Sequence, residues 1–236
     1  MKPFQFKQFT VYQDRCAMKI GTDGVLLGAW ASLDNNPESI LDIGSGTGLI
    51  ALQIAQRSSA EVIDAIELDE NAYEQCVENF ETSPWADRLF CYHASLDEFV
   101  DEIDDTYDLI VSNPPFYAED VASGSDSRTM ARQNSSLPFD ELLKGVSKLL
   151  SKSGKFAVII PFKEETDFIE LAQGEGLFPI RKTRIKGNPE TEIKRSVLEF
   201  GFLKVEPVLD VLTVELERHQ YTEDYIKLTK AFYIKM

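Results

Sequence analysis

The stretch that decides the fold is Ile40-Leu41-Asp42-Ile43-Gly44-Ser45-Gly46-Thr47-Gly48-Leu49-Ile50-Ala51. An apolar run of the β type enters the glycines, and apolar residues at helical spacing follow them. The pattern predicts a strand near 38–43, a tight turn and a helix reaching about residue 57. Glycines in such a turn let the backbone approach a ligand closely.

The glycine spacing and a downstream acid indicate the kind of ligand. Gly44, Gly46 and Gly48 read G-x-G-x-G, whereas dinucleotide-binding turns read G-x-G-x-x-G. The next apolar run, 62–66, is followed by Glu67, which lies 21 residues beyond Gly46. An acid at the end of the second strand can accept hydrogen bonds from both hydroxyls of a ribose. The site therefore suits an adenosine-type cofactor.

A second signal follows the apolar run 107–112 in the tetrapeptide Asn113-Pro114-Pro115-Phe116. Each proline lacks an N–H and fixes its own φ, so the strand ends in a stiff corner. The corner presents an amide oxygen, a backbone carbonyl and an aromatic ring, which together suit a planar amine. A proline-rich turn with a solvated Asn113 explains the tetrapeptide alone about equally well. The glycine loop upstream favours the interpretation of the tetrapeptide as an amine-binding corner over that of a turn.

Strands and helices alternate along most of the chain. Strands are predicted at 61–67, 89–93, 107–112 and 155–160, and helices at 70–80, 97–100, 138–150 and 164–174. Runs at 178–185 and 195–204 complete the sheet as an antiparallel pair around Gly187-Asn188-Pro189. This order indicates an α/β fold with a doubly wound, mostly parallel sheet, which binds ligands at the carboxyl ends of its strands.

The glycine loop, Glu67 and the Asn-Pro-Pro-Phe corner together resemble the Rossmann-like methyltransferases that use S-adenosylmethionine. The resemblance implies a seven-stranded sheet of that kind and S-adenosylmethionine as cofactor. The cofactor-binding residues that it implies here are Asp42, Gly44, Gly46, Gly48, Glu67, Leu68, Ser95 and Asn113. Asp42 suits a cap on the glycine N–H groups equally well. In this family the corner serves methylation of amino or amide nitrogens on planar systems, in nucleic-acid bases or glutamine side chains.

The chemistry of an exocyclic amine assigns roles to the corner. Such an amine is a poor nucleophile because its lone pair is delocalised into the ring. Acceptors that pull its hydrogens toward tetrahedral geometry localise the lone pair, and we expect these to be the Asn113 side-chain oxygen and the Pro114 carbonyl. Phe116 would stack on a base flipped out of its stack. No dedicated general base is then required.

The flanking segments resemble the bacterial tRNA1(Val) (adenine-37-N6)-methyltransferase family. The resembling segments are 7–9, 14–30, 83–86, 221–223 and 231–233. The resemblance therefore covers nearly the whole chain, and it implies N6-methyladenosine as the product and tRNA as the partner. It also implies that Lys19, Gly21 and Thr22 contact the edge of the cofactor.

The same sequence features are compatible with other functions. Many enzymes of this class carry an acid after the third strand that binds the cofactor's adenine, whereas this chain has Ser95 there, with Asp97 two residues on. Asn-Pro-Pro-Phe also occurs in guanine N2-methyltransferases of ribosomal RNA. Glutamine N5-methylation on a protein would suit an acidic surface better. A binding module that kept the fold without turnover is the non-enzyme alternative.

The charge balance opposes binding to a polyanion. The net charge is −16 and the pI is near 4.6. Segment 181–195 nevertheless carries +4, and the stretch through Lys19 carries +3. The residues of the first segment predicted to contact RNA are Arg181, Lys182, Arg184, Lys186, Lys194 and Arg195. A solvated charged hairpin is the alternative interpretation of this segment.

Length and composition fit a single methyltransferase domain over 1–236, with extensions at 1–36 and 205–236. The 236 residues are 43% apolar, which suffices for a sizeable core. No apolar run has the length of a signal or a membrane span, so a cytoplasmic location is expected. Three widely spaced cysteines argue against a disulfide framework or a zinc site, and no metal or obligate protein partner is expected. The loop 117–137 is long and rich in Ser, Gly, Asp and Arg, and loops of this kind beside a site commonly order over substrate.

Overall fold

A computed structural model of the chain describes residues 2–115 and 137–235. Phe116 and nearly all of the predicted loop 117–137 lie outside these residues. No helix in the described ranges is long and apolar enough to cross a membrane.

The strands and helices follow the predicted alternation. The strands are β1 Phe4–Gln5, β2 Thr10–Val11, β3 Ser39–Ile43, β4 Val62–Glu67, β5 Leu89–His93, β6 Tyr107–Ser112, β7 Leu150–Pro161, β8 Phe178–Lys186, β9 Ile193–Gly201, β10 Val208–Thr213, β11 Glu215–Glu217 and β12 Gln220–Tyr221. The helices are α1 Thr22–Trp30, α2 Leu49–Arg57, α3 Glu70–Glu81, α4 Leu96–Glu102, α5 Phe139–Leu149, α6 Glu165–Gly174 and α7 Glu223–Thr229.

One large sheet organises the molecule, and it confirms the predicted fold class. Its strand order in the described residues is β10-β8-β9-β7-β6-β3-β4-β5. Strands β3 to β7 pair in parallel, and β9 runs antiparallel between β7 and β8, as the C-terminal pair was predicted to do. Strand β10 pairs in parallel with β8 and adds an eighth strand from the segment predicted as an extension.

The central strands are apolar on both faces because helices cover both sides of the sheet. Along β6, Leu109 and Val111 pack in one hydrophobic cluster with α1, α2 and α3, whereas Ile110 packs in the other. That second cluster includes side chains of α4, α5 and α6. The two layers hold the carboxyl ends of β3, β4 and β6 at one edge of the sheet.

Helix α1 was not predicted from the sequence. All of its residues from Gly24 to Trp30 are buried, so it lacks the polar face that marks an amphipathic helix. It packs closely on α2, since a Cβ added at Gly28 would lie 2.4 Å from the Gln53 Oε1 atom. At its end the Trp30 indole N–H donates a hydrogen bond of 2.9 Å to the Thr183 hydroxyl on β8.

Gly48 offers a test of the packing under the glycine loop. Its φ is +76°, and an added Cβ would lie 2.5 Å from Phe80 Cε1 and 2.8 Å from Cys76 Sγ. We expect Gly48→Ala to lower the free energy of unfolding by about 3 kcal/mol, from left-handed backbone strain and overpacking together. Urea unfolding followed by circular dichroism measures the change.

Gly174→Ala is the matched control, because an added Cβ there meets no atom within 4 Å. Its expected effect is below about 1 kcal/mol. Equal losses in the two variants would contradict the packing described for Gly48.

Candidate active site

The glycine loop lies at the carboxyl end of β3 and leads into α2. Gly44, Gly46 and Gly48 all have positive φ, at +71°, +56° and +76°. A Cβ added at Gly44 or Gly46 would meet no atom within 4 Å, in contrast to Gly48. The loop backbone is therefore open to close approach by a ligand at the first two glycines.

Glu67 holds this loop at the end of β4. Its Oε2 atom accepts a hydrogen bond of 2.7 Å from the Gly46 N–H, and its Oε1 atom accepts one of 2.9 Å from the Asp69 N–H. A carboxylate oxygen accepts more than one hydrogen bond. Glu67 thus fixes the loop and keeps acceptor capacity for the hydroxyls of a ribose.

Asp42 is fully buried beneath the loop. Its Oδ2 atom accepts a hydrogen bond of 3.2 Å from the Ala51 N–H in the first turn of α2, and its Oδ1 atom has no partner among the described residues. Burial raises the pKa of Asp42 to about 7; the hydrogen bond from Ala51 opposes this shift, and the charge of Glu67 adds to it. The cap that the structure shows is therefore on α2 and not on the glycines themselves.

Asn113 stands at the same edge of the sheet as the loop. Ser112 pairs with Ile43 across β6 and β3, and the Ser112 hydroxyl donates to the Ile43 carbonyl at 2.9 Å. Asn113 follows the last residue of β6 and Gly44 follows the last residue of β3, so the corner and the loop are neighbours. The Asn113 Oδ1 atom is buried and has no hydrogen-bond partner in the described structure. Leaving such an acceptor unpaired costs about 1–3 kcal/mol, so this oxygen suits an external N–H donor.

Two buried amides, which the sequence analysis missed, attach the N-terminal segment to the site. The Asn79 Nδ2 donates to the Thr47 carbonyl in the glycine loop at 2.9 Å and to the Tyr12 carbonyl at 2.8 Å. The Gln75 Oε1 accepts a hydrogen bond of 3.1 Å from the Arg15 N–H. A signal existed, because two amides four residues apart on the buried face of α3 require partners.

The predicted cofactor-edge residues lie at the start of α1. The Lys19 ammonium donates hydrogen bonds of 2.6 Å to the carbonyls of Gln13 and Cys16, within its own segment. Gly21 is the N-cap residue of α1 and makes no side-chain cap, and Thr22 is the first helical residue.

Ser95 and Leu68 occupy the end of the sheet near β4 and β5. Ser95 caps α4 in a capping box: its hydroxyl donates to the Glu98 carboxylate at 2.7 Å, and its N–H donates to the same carboxylate at 3.0 Å. The described contacts of Ser95 are therefore structural. Leu68 is 52% exposed, and its carbonyl lies 3.0 Å from His93 Nε2.

Much of the basic segment turns inward. The Arg181 guanidinium lies 3.6 Å from the centroid of the Trp30 ring and 3.3 Å from the buried Glu199 carboxylate. Arg184 pairs at 2.8 Å with Glu165, which is also buried. These contacts give both arginines a structural role at the edge of the sheet.

Lys186, Lys194 and Arg195 lie near the turn between β8 and β9, whereas Lys182 lies in the middle of β8. Arg195 pairs with Asp23 at 2.8 Å, and the Lys186 ammonium donates to the Pro189 carbonyl at 3.0 Å. Lys194 is exposed and Lys182 is half-buried. In the part of the chain that is described, no group of three or more His, Cys, Asp or Glu side chains is arranged to hold a metal ion.

Comparison with known proteins agrees with this geometry. Residues 25–165 match the family described as Methyltransferase small domain. A crystal structure from Agrobacterium tumefaciens, described as a predicted O-methyltransferase, has a TM-score of 0.68 at 17% identity, covering 89% of this chain and 96% of that one. A methyltransferase structure from Pyrococcus furiosus has a TM-score of 0.52 at 22% identity, covering 73% and 80%. The chain is an S-adenosylmethionine-dependent methyltransferase with a Rossmann-like fold.

More similar relatives define the family. The tRNA1(Val) (adenine(37)-N6)-methyltransferase of Flavobacterium johnsoniae is 60% identical over 234 residues, which are 99% of this chain and 100% of that protein. The protein of the same name from Bacteroides fragilis is 45% identical over 99% of this chain and 98% of its own length. The chain belongs to the tRNA1(Val) (adenine(37)-N6)-methyltransferase family.

The raised pKa of Asp42 predicts a pH dependence of stability. An unfolded aspartate has a pKa of about 3.9, so the native state binds the proton more tightly. The contribution of Asp42 to stability is complete below about pH 4 and is lost as the pH rises toward 7. Asp42→Asn cannot ionise and should gain roughly 2–4 kcal/mol relative to wild type between pH 4 and pH 8.

Urea unfolding of both proteins without cofactor, at several pH values, measures this difference. Asp210→Asn removes an acid from the exposed residue 210 of β10 and serves as the control. A difference between Asp42→Asn and wild type that stayed constant across the range would show that Asp42 titrates as an ordinary aspartate.

Proposed function

We propose that this chain transfers a methyl group from S-adenosylmethionine to the exocyclic N6 amine of adenine-37 in tRNA1(Val). Membership of the family named for this reaction supports the substrate. The observation that carries the chemistry is the Asn113 oxygen, which is buried and has no partner among residues 2–115 and 137–235, beside an open glycine loop. An activity on tRNA also implies a cytoplasmic location, and we propose that the whole chain acts as one domain.

The described residues fit the cofactor of this class. S-adenosylmethionine supplies, when bound, an electrophilic methyl group on a sulfonium. Gly44 and Gly46 would allow the main chain to lie against it, and Glu67 would accept the ribose hydroxyls. Further contacts are proposed for Asp42, Gly48, Leu68, Ser95, Lys19, Gly21 and Thr22.

Asn113 and Pro114 are proposed to act on the amine of the substrate. The Asn113 oxygen and the Pro114 carbonyl would accept its two N–H bonds and localise its lone pair toward the methyl group. Because the Asn113 oxygen is buried, water competes weakly for this acceptor. The proton leaves after transfer, so the residues contribute mainly by holding the reacting atoms in line.

The base must be accessible for this geometry to work. An adenine in a single-stranded loop can be turned out at a lower cost than one in a duplex, which agrees with a tRNA loop as the substrate. We propose that Phe116 stacks on the extruded base. The exocyclic amine then meets the corner edge-on.

Replacing Asn113 tests the mechanism. We expect Asn113→Ala to lower kcat by about a hundred-fold or more, because one of two preorganised acceptors is lost. The affinity for the cofactor, measured by calorimetry, should change less than about two-fold.

Asn35→Ala is the matched control, since Asn35 is exposed and its amide donates only to the Asp108 carbonyl among the described residues. Turnover of Asn113→Ala close to that of the control would remove Asn113 from the mechanism.

The substrate is tested with methyl-labelled cofactor and four acceptors: tRNA1(Val), the same tRNA with guanine at position 37, ribosomal RNA and a protein extract. We expect label in the first alone. Label in ribosomal RNA alone would instead support guanine methylation, and label in protein alone would support glutamine methylation. No label in any acceptor would support a binding module.

A further inference from the structure

A cavity of about 700 Å³ lies at the same edge of the sheet as the candidate active site. It opens to solvent and is lined by the start of α1, the end of the β8–β9 hairpin and the C-terminal segment after β10. We propose that it binds a nucleotide close to the target adenine in the same single-stranded part of the RNA substrate. This inference rests on the proposed function. The cavity shares Gly21 and Thr22 with the proposed cofactor contacts, so it continues from that site, but the proposed function does not explain its aromatic and cationic wall.

Aromatic side chains form much of the wall. Tyr221 and Tyr225 have ring centroids 5.2 Å apart, and Phe4 lies edge-on to Tyr233 at 6.3 Å. All four line the cavity, and Tyr221 is half-buried, so its ring is accessible in part. Aromatic rings bind unstacked bases with little dependence on their identity. The wall therefore suits the planar part of a nucleotide.

Cations accompany the rings. Lys194, Arg195 and Lys235 line the cavity together with the acids Asp23 and Glu215. Asp23 and Arg195 pair at 2.8 Å and compensate each other, so Lys194 and Lys235 against Glu215 leave the lining with one net positive charge. The whole chain carries −16, so this is a local reversal of sign that favours a phosphate.

The position of the cavity relative to Asn113 suits a nucleotide of the same strand as the target. Arg195 begins its pairing with β7 opposite Pro161, and β7 pairs directly with β6, the strand that ends before Asn113. Two strand spacings, about 10 Å, separate β9 from β6, and four, about 19 Å, separate β6 from β10, after which Glu215 pairs with Tyr221. A nucleotide a few positions from the target in an extended, unstacked strand can span this distance.

The cavity also has the size of a nucleotide site. Pockets for small molecules have volumes of about 300–1,000 Å³ and combine apolar walls with a few polar groups. A free mononucleotide would fit the same lining as a linked one. The position beside the corner favours the linked one, and the binding measurement separates the two.

The test uses short single-stranded RNAs that contain one adenine and a fluorescent purine analogue one, two or three positions from it. We expect Tyr221→Ala to weaken their binding by about 5- to 100-fold, through the loss of stacking. Tyr221→Phe keeps the ring and should restore binding to near the wild-type value. If binding depended instead on the Tyr221 hydroxyl, Tyr221→Phe would bind as weakly as Tyr221→Ala.

Lys194→Ala tests the phosphate contact. It should weaken binding modestly and lower the salt slope of log Kd by about one. Lys148→Ala, in the exposed position 148 of α5 on the other face of the sheet, is the control and should leave the slope unchanged. Circular dichroism confirms that each variant is folded.

The outcomes separate this inference from the proposed function. If Tyr221→Ala binds the RNAs as wild type does, or if AMP alone binds as tightly as the RNAs, the inference of a linked nucleotide is overturned, whatever the methylation assay gives. If binding falls in Tyr221→Ala and returns in Tyr221→Phe, the inference stands. The inference then also stands if tRNA1(Val) receives no methyl group. That result would overturn only the proposed reaction.

Discussion

The parallel pairing of β3 with β4 on one side and β6 on the other is the constraint on which the site depends. Parallel strands place their carboxyl ends at one edge, so Gly44, Glu67 and Asn113 emerge side by side from distant parts of the sequence. The Glu67 carboxylate then ties the glycine loop to the end of β4. A slip of β3 by one residue would reverse the faces of its side chains and move the loop away from both partners.

Polar side chains under and around this edge determine its shape, and burying each of them costs desolvation free energy. Asp42 and Asn113 each keep one buried oxygen without a partner in the described structure. Asn79 and Gln75, in contrast, each form hydrogen bonds through both the oxygen and the nitrogen of the amide, and they attach the N-terminal segment to the loop and to α3. The unpaired oxygens can therefore accept hydrogen bonds from a ligand, whereas the paired amides stabilise the fold of the N-terminal segment.

The sequence predicted the central sheet because its strands and helices are locally distinct. The apolar runs of β3, β4 and β6 and the amphipathic α5 have clear periods. Helix α1 escaped prediction because burial on every side removes its polar face. Strand β10 was not predicted although its residues favour a strand, because the apolar Val208, Leu209 and Val211 are exposed at the edge of the sheet and follow no two-residue alternation.

The site residues likewise include some that the sequence reveals and some that it does not. The glycines, Glu67 and Asn113 are recognisable because each must follow a strand directly, and the topology then brings them together. Arg181 and Arg184 were predicted to contact RNA from their charge alone, but the acids that pair with them, Glu199 and Glu165, are distant in sequence. Long-range ion pairs of this kind leave no local pattern, so charge counted along a segment overstates the charge that is available to a ligand.

These inward pairs bear on how an acidic protein can recognise RNA. Affinity that depends on many phosphate contacts requires many available cations, and the arginines of β8 are occupied by buried acids. A flipped adenine and an aromatic-lined cavity instead draw free energy from stacking, which a net charge of −16 opposes much less. Such binding selects an RNA with unstacked bases over a uniform duplex of the same charge. The acidic surface then contributes to specificity, because it repels polyanions that cannot place a base in the site.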